Sequence, residues 1–263
     1  MNTAAPASDR ERAIVEGLLD AYRVGMFPMG EPDSDEVGFY QPDPRGVLPL
    51  PPPAKGPWIG LIGDHPAFHC PRSVSKLLRR GRFHLRCDTA FEAVVEGCAK
   101  ARRRGTDDQA GIADSGTWIN RTIAAWYNSL HRAGHAHSIE AWVSAHNDDG
   151  QRESRLVGGI YGVAIGSAFF GESMFHETGR PRADGSRDPF DGTSAGQVCL
   201  VALVTHLSAC GFQLFDTQMV TGVTRRFGAF EVPHTIYMRG LQPAVADTPR
   251  WKHPEWAENR RPA

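Results

Sequence analysis

The stretch from His135 to Phe175 constrains this chain more than any other. His137 to Val143 reads as a strand, Asp149-Gly150 as its turn and Leu156 to Val163 as its partner; a second hairpin returns as a third strand over Ser167 to Phe175. A sheet of this kind must be covered by other layers, and the flanking segments supply them. A first helix is marked by the capping-box pattern Ser8-Asp-Arg-Glu11, with Ile14, Leu18, Leu19 and Tyr22 at helical spacing, and should end near Gly25. A short helix over Ser73 to Arg80 precedes a strand at Phe83 to Arg86 and a helix from Asp88 or Thr89 to Ala99. Trp118 opens another, whose buried stripe is Ile119, Ile123, Trp126, Tyr127 and Leu130. Val198 to Leu207 reads as a buried helix and Phe212 to Thr217 as a strand. Met26 to about Pro53, rich in proline and glycine, reads as an irregular connector, and Lys100 to Ser115 and His176 to Thr193 as loops. The expected fold is α/β (α+β) around a mixed sheet. Its expected divisions are a small N-terminal lobe at 1–64, a main domain at 65–245 and a tail at 246–263.

The composition, 41% apolar and 22% charged in 263 residues, is that of a globular protein. No apolar run approaches the ~20 residues of a membrane helix, and the first residues lack a secretory pattern, so a soluble cytoplasmic protein with no membrane partner is expected. The five cysteines, Cys70, Cys87, Cys98, Cys199 and Cys210, contain no CxxC pair and read as reduced and mostly buried. Net charge is −1, yet between Arg72 and Arg104 ten Lys/Arg face three acids, Asp88, Glu92 and Glu96. A near-neutral chain with one basic segment has a directed binding face. Within it Arg72, Lys76, Arg79 and Arg80 stand at i, i+4, i+7 and i+8, so a helix projects all four from one side. Two readings fit that stripe: a solvated surface, or a seat for an anion such as phosphate.

Several strings then converge. Ala21-Tyr-Arg-Val-Gly-Met-Phe-Pro28, Pro42-Asp-Pro-Arg45, Glu96-Gly-Cys-Ala99, Thr117-Trp-Ile119, Gly134-His-Ala-His-Ser-Ile-Glu-Ala-Trp142, Leu156-Val-Gly-Gly-Ile-Tyr-Gly-Val-Ala164, Gly171-Glu-Ser-Met-Phe175 and Asp216-Thr-Gln218 occur in order over roughly 21–233. Together they resemble the leucyl/phenylalanyl-tRNA–protein transferase family. The resemblance implies a GNAT-like acyltransferase domain, an aminoacyl-tRNA donor, a protein or peptide N-terminus as acceptor, and no cofactor, acetyl-coenzyme A included. It implies no DNA partner either. Arg72, Lys76, Arg79 and Arg80 would hold the acceptor arm of the tRNA.

The same resemblance assigns chemistry. Asp216 and Gln218, two apart, share a face if extended; in the family this pair is a relay in which the aspartate orients the glutamine amide and the amide carbonyl accepts from the attacking amine. Glu172 is the implied anionic partner of that amine. Read from residues alone, Asp216 is first a helix N-cap at the end of a strand, and the alternative for Glu172 is a half-buried carboxylate paired to an arginine. Ile160, Phe169 and Met174, with Leu200 and Phe215, are core by pattern and an apolar pocket for Leu or Phe by resemblance. Trp118 is either a core tryptophan or the residue that stacks on the terminal adenine. His131, His135 and His137 lack a completing Cys or carboxylate, so no metal is expected.

Departures from the family pattern fall at Met29, where it has an aromatic, at Phe39-Tyr40-Gln41 for Trp-Trp-Ser, near Gly196-Gln197 for Ser-Lys, and at Val223 for histidine, with Arg225-Arg226 following. The alternative function is therefore a non-catalytic or re-specialised aminoacyl-tRNA-binding protein of the same fold. An acetyltransferase is disfavoured, because no Gly-rich pyrophosphate loop opens a helix.

Overall fold

Helix α1 (Asp9–Arg23) begins where Ser8 Oγ accepts the main-chain N–H of Glu11 at 3.2 Å, as its capping pattern predicts, and it buries Val15, Leu18, Leu19 and Tyr22. The computed structural model describes residues 8–31, 33–52, 65–103, 117–147, 149–179, 185–248 and 250–258. The expected irregular connector after α1 instead holds three strands: β1 (Phe27–Gly30), β2 (Val37–Tyr40) and β3 (Arg45–Val47). β1 and β2 form a separate hairpin, whereas β3, at residues 45–47, pairs with two strands at 214–218 and 230–232. Pairing over that distance leaves no local pattern to read, and short strands among prolines look like loop.

The rest of the order is α2 (Arg72–Arg80), β4 (His84–Cys87), α3 (Phe91–Arg103), α4 (Arg121–Arg132), β5 (Ala136–His146), β6 (Arg152–Ile165), β7 (Ala168–His176), α5 (Ala195–Cys210), β8 (Leu214–Gln218), α6 (Gly222–Arg225), β9 (Phe230–Val232), α7 (His234–Ala246) and α8 (Glu255–Glu258). Seven strands form one mixed sheet in the order β4-β5-β6-β7-β8-β3-β9, with β7 and β8 parallel and the other neighbours antiparallel. This is the mixed α/β architecture expected from the sequence, consistent with an acyltransferase-like fold.

The two faces carry separate cores. Helices α1, α3, α4 and α7 cover one, with Leu19, Tyr22, Val94, Tyr127, Tyr161 and Phe170 buried together; α5 and the underside of α2 cover the other, with Val74, Ile160, Phe169, Leu203 and Phe215. α3 starts later than expected because a distant residue occupies its entry. The fully buried Glu140 carboxylate accepts the main-chain N–H groups of Thr89 and Ala90 at 2.8 and 2.7 Å and also the Thr89 hydroxyl. α3 also runs on to Arg103, past the expected start of the 100–115 loop; residues 104–116 of that loop lie outside the described residues. α4 starts three residues after Trp118, capped by Asn120 Oδ1 on the N–H of Ile123 at 2.9 Å. Beyond residue 245 the chain turns back on the domain: the Trp251 ring stacks on His137 at 4.0 Å, and His206 Nε2 lies 2.8 Å from the Lys252 carbonyl. All five cysteines are free; Cys87, Cys98 and Cys199 are buried.

Candidate functional site

Two β-bulges on neighbouring strands converge at one place. On β7, Gly171 pairs with Gly162 and Ser173 with Tyr161, so Glu172 is the extra residue. On β8, Asp216 pairs with Val47 and Gln218 with Gly46, so Thr217 is extra. A bulge shifts the alternation of side chains by one and re-aims the residue it carries. Thus Phe170, Glu172 and Phe175 serve the α1/α4 side, while Phe169 and Met174, which strict alternation would place on opposite faces, both serve the α5 side.

Glu172 is 8% exposed, and no described residue forms a salt bridge with it. Its Oε1 lies 2.7 Å from the Tyr22 hydroxyl, its Oε2 lies 2.7 Å from the Tyr127 hydroxyl, and the two hydroxyls are 2.9 Å apart. These contacts close a ring with three edges but only two hydroxyl protons. When Glu172 is ionised both tyrosines donate to it and the edge between them is empty; one proton on Glu172 fills every edge. Burial raises the carboxyl to about 7, with the Asp216 charge adding to the rise and the two tyrosine hydroxyls and Arg45 opposing it. Tyr22 and Tyr127 are pushed well above the usual phenol range, first by burial and then by the Glu172 charge, so both remain donors.

Asp216 is buried differently. Arg45 Nε lies 3.0 and 3.1 Å from its two oxygens and Nη2 lies 2.7 Å from Oδ2; Tyr237 donates at 2.5 Å and the main-chain N–H of Gln218 at 2.7 Å. Both members of the ion pair are fully buried. Burial opposes the charge on Arg45, and Asp216 more than offsets it, leaving the guanidinium above its ordinary value. Its remaining donor Nη1 reaches the Gly25 carbonyl at 2.8 Å, and its plane lies over the Tyr237 ring at 4.7 Å.

Gln218 ends β8 with φ of 54°, in the left-handed region that costs a non-glycine residue free energy. The turn directs its Nε2 to Glu172 Oε1 at 3.3 Å. The contact from Asp216 differs from the expected one: the carboxylate holds the backbone N–H of Gln218, not its side-chain amide, because the bulge turns the amide toward β7. No described residue donates to the Gln218 carbonyl oxygen.

Beside this pair opens a cavity of about 60 Å³. Ile160, Met174, Leu200 and Phe215 give it an apolar lining, and Thr217, Met219, Thr221, Val223 and Thr224 form another wall. Gly171 is required here, since a Cβ at that position would come within 2.5 Å of the Phe215 ring. Phe169, expected in the pocket, stands behind its wall, fully buried and edge-on to Phe215 at 5.5 Å.

Other expected residues lie elsewhere. Arg72, Lys76, Arg79 and Arg80 are all exposed on α2, while Val74 on its opposite side is fully buried. Arg79 and Arg80 in the last turn suit the helix dipole; Arg72 in the first does not. Trp118 is half-buried against the α1/α4 core, and its carbonyl accepts from Gly30 N at 2.9 Å, tying it to the β1-β2 hairpin. His131 stacks on Phe91 at 4.2 Å, His137 Nδ1 lies 2.8 Å from Asp88, and burial lowers the pKa of His135. Residue-by-residue reading missed Tyr22, Arg45, Tyr127 and Tyr237. Tyr22 and Tyr127 had the spacing of core residues, and nothing local marks a hydroxyl as a partner of a distant carboxylate.

Comparison with known families gives two matches. The pattern described as leucyl/phenylalanyl-tRNA protein transferase matches residues 63–242, and that of the leucyl/phenylalanyl-tRNA protein transferase N-terminal domain matches residues 15–43. The first match spans six of the seven strands of the sheet, with the bulged residues Glu172 and Thr217, the second contains Tyr22, and β3 with Arg45 falls between the two. With more than half of its length matched, the chain belongs to the leucyl/phenylalanyl-tRNA protein transferase family.

Proposed function

We propose that this protein transfers an amino acid of the Leu/Phe type from aminoacyl-tRNA to the α-amine of a protein whose N-terminal residue is basic, forming a peptide bond. Family membership supports the reaction class, and one observation carries the assignment of residues: the Gln218 amide and the Glu172 carboxylate meet at 3.3 Å beside an apolar cavity. The donor ester is already activated, and an α-amine of pKa near 8 is partly neutral at physiological pH. What remains is alignment, uptake of a proton and stabilisation of the oxyanion.

In this reading the cavity takes the donor side chain, with Ile160, Met174, Leu200 and Phe215 against it and Phe169 supporting the wall. The Gln218 Nε2 is engaged by Glu172, so its carbonyl oxygen is the group that accepts from the amine. The nitrogen attacks the ester carbonyl and its proton passes to Glu172, where the Tyr22–Tyr127 ring has an edge for it; as the bond to the ribose oxygen breaks, that proton is returned to the leaving oxygen, which departs as the tRNA hydroxyl, and Glu172 is ionised again. Asp216 acts through the backbone it fixes. Arg72, Lys76, Arg79 and Arg80 hold phosphates of the acceptor arm without reading sequence, and Trp118 stacks on the terminal adenine. Residues 65–245 carry most of this site, and the 1–64 lobe contributes Tyr22 and Arg45.

The test uses tRNA charged with radiolabelled Leu or Phe and peptides beginning with Arg or Lys. Gln218→Ala is expected to lower transfer by roughly a hundredfold or more with an unchanged melting temperature. Transfer at the wild-type rate by that variant removes the glutamine from the mechanism. Tight binding of charged tRNA by the wild type with no peptide bond formed supports the non-catalytic alternative instead.

A further inference from the structure

Arg225 and Arg226 are exposed on the segment that walls the cavity. Thr221 caps α6 and lines the cavity with Val223 and Thr224; Arg225 stands four residues past Thr221 and Arg226 three past Val223, each one turn beyond a lining residue. Neither arginine forms an ion pair or side-chain hydrogen bond with any described residue. Two exposed guanidinium groups without a counter-charge among the described residues concentrate positive potential there, so an anion is their natural partner.

Their surroundings say which anion. The chain immediately after them is joined to the approach to α2: His69 N donates to the Phe227 carbonyl at 2.9 Å, and the Phe68 and Phe227 rings stack at 6.3 Å. Gly228, at φ of 98°, lies so close to this approach that a Cβ would come within 2.3 Å of the Ala67 carbonyl. α2 and its cations begin three residues after His69. The segment that carries the two arginines thus walls the cavity at Thr221, Val223 and Thr224 and, through Phe227 and Gly228 just after them, packs on the approach to α2. We propose that Arg225 and Arg226 form a second cationic step that holds phosphodiester groups of the single-stranded 3′ end of the tRNA and carries it from the ridge to the cavity. This rests on the tRNA-dependent transfer proposed above.

The variant Arg225→Gln/Arg226→Gln removes both charges at exposed positions. Two single-strand phosphate contacts predict that log K for leucyl-tRNA against log salt becomes shallower by about 1.4, with KM for leucyl-tRNA raised roughly tenfold and kcat nearly unchanged. An amide-linked leucyl-adenosine, which carries no phosphate, should inhibit wild type and variant equally, and Arg225→Lys/Arg226→Lys should keep most of the binding. An unchanged salt slope and KM overturn the proposal, as does equal loss for leucyl-tRNA and leucyl-adenosine, which marks damage to the cavity. A switch in preference between peptides beginning with Arg and with Asp, at unchanged KM for tRNA, also overturns it, since the arginines then face the acceptor. If wild type shows no salt-dependent binding of leucyl-tRNA, the parent reading fails with it; if Arg72→Gln/Lys76→Gln loses binding and the Arg225/Arg226 variant does not, only the second step fails.

Discussion

Asp216 and Glu172 are carboxylates buried on adjacent strands of one sheet, yet they are solvated in opposite ways. Asp216 has a bidentate guanidinium, a phenol and a backbone N–H; Glu172 has two phenols and an amide, all neutral. A buried charge needs a counter-charge or it protonates. Asp216 is therefore held in an ion pair and fixes the backbone of Gln218, whereas burial among neutral donors pushes the Glu172 carboxyl up to about 7. In the proposed reaction, one site thus separates the group that holds shape from the group that takes the proton.

The sharpest break of that comparison is Arg45→Ala, which leaves Asp216 buried without its cation. A loss of about 3–5 kcal/mol of stability is expected by denaturant titration; a loss under about 1 kcal/mol would mean the pair fixes nothing. Next is Glu172→Gln. With its carboxyl raised from 4.5 to about 7, the folded protein binds this proton more tightly than the unfolded chain. The stability it contributes is full below about pH 4.5, falls as pH climbs and is gone above about 7, a swing on the order of 3 kcal/mol that the glutamine variant should flatten. Transfer by the wild type should rise with pH through the same upper limit.

Two phenol deletions refine the contrast at about 1 kcal/mol each. Tyr127→Phe removes a donor to the Glu172 carboxylate and should move the pH inflection of transfer upward; Tyr237→Phe, on Asp216, should leave that inflection in place. Equal shifts from both would merge the two carboxylates into one titrating unit. The last stability effect, opposite in sign, is from Gln218→Gly, which relieves the left-handed backbone and should stabilise by roughly 0.5–1 kcal/mol while transfer is lost.

The strands β4 to β7, helix α5 and the exposed stripe of α2 were legible because each repeats locally, at two residues or at 3.6. Glu172, Asp216 and Gln218 were found through motif resemblance, and the cavity residues likewise, except that Phe169 proved to support the wall from behind. Arg45 lay in a recognised string but had no assigned partner, since the carboxylate it holds is 171 residues away. β3 and β9 were missed for the same reason, and α3 began late because its entry is capped by Glu140 from another strand.

By itself the sequence determined α1 and the order of helices and strands from α2 to β8, the mixed sheet, the cationic face of one helix and the family, all of which rest on local periodicity or contiguous motifs. Only the tertiary structure decided which way the decisive side chains point. Two bulges, each a shift of one residue, depend on how a strand pairs with its neighbour, and pairing is a property of two distant segments at once. The same holds for charge: whether a carboxylate is an anchor or an acid depends on which partners folding brings to it.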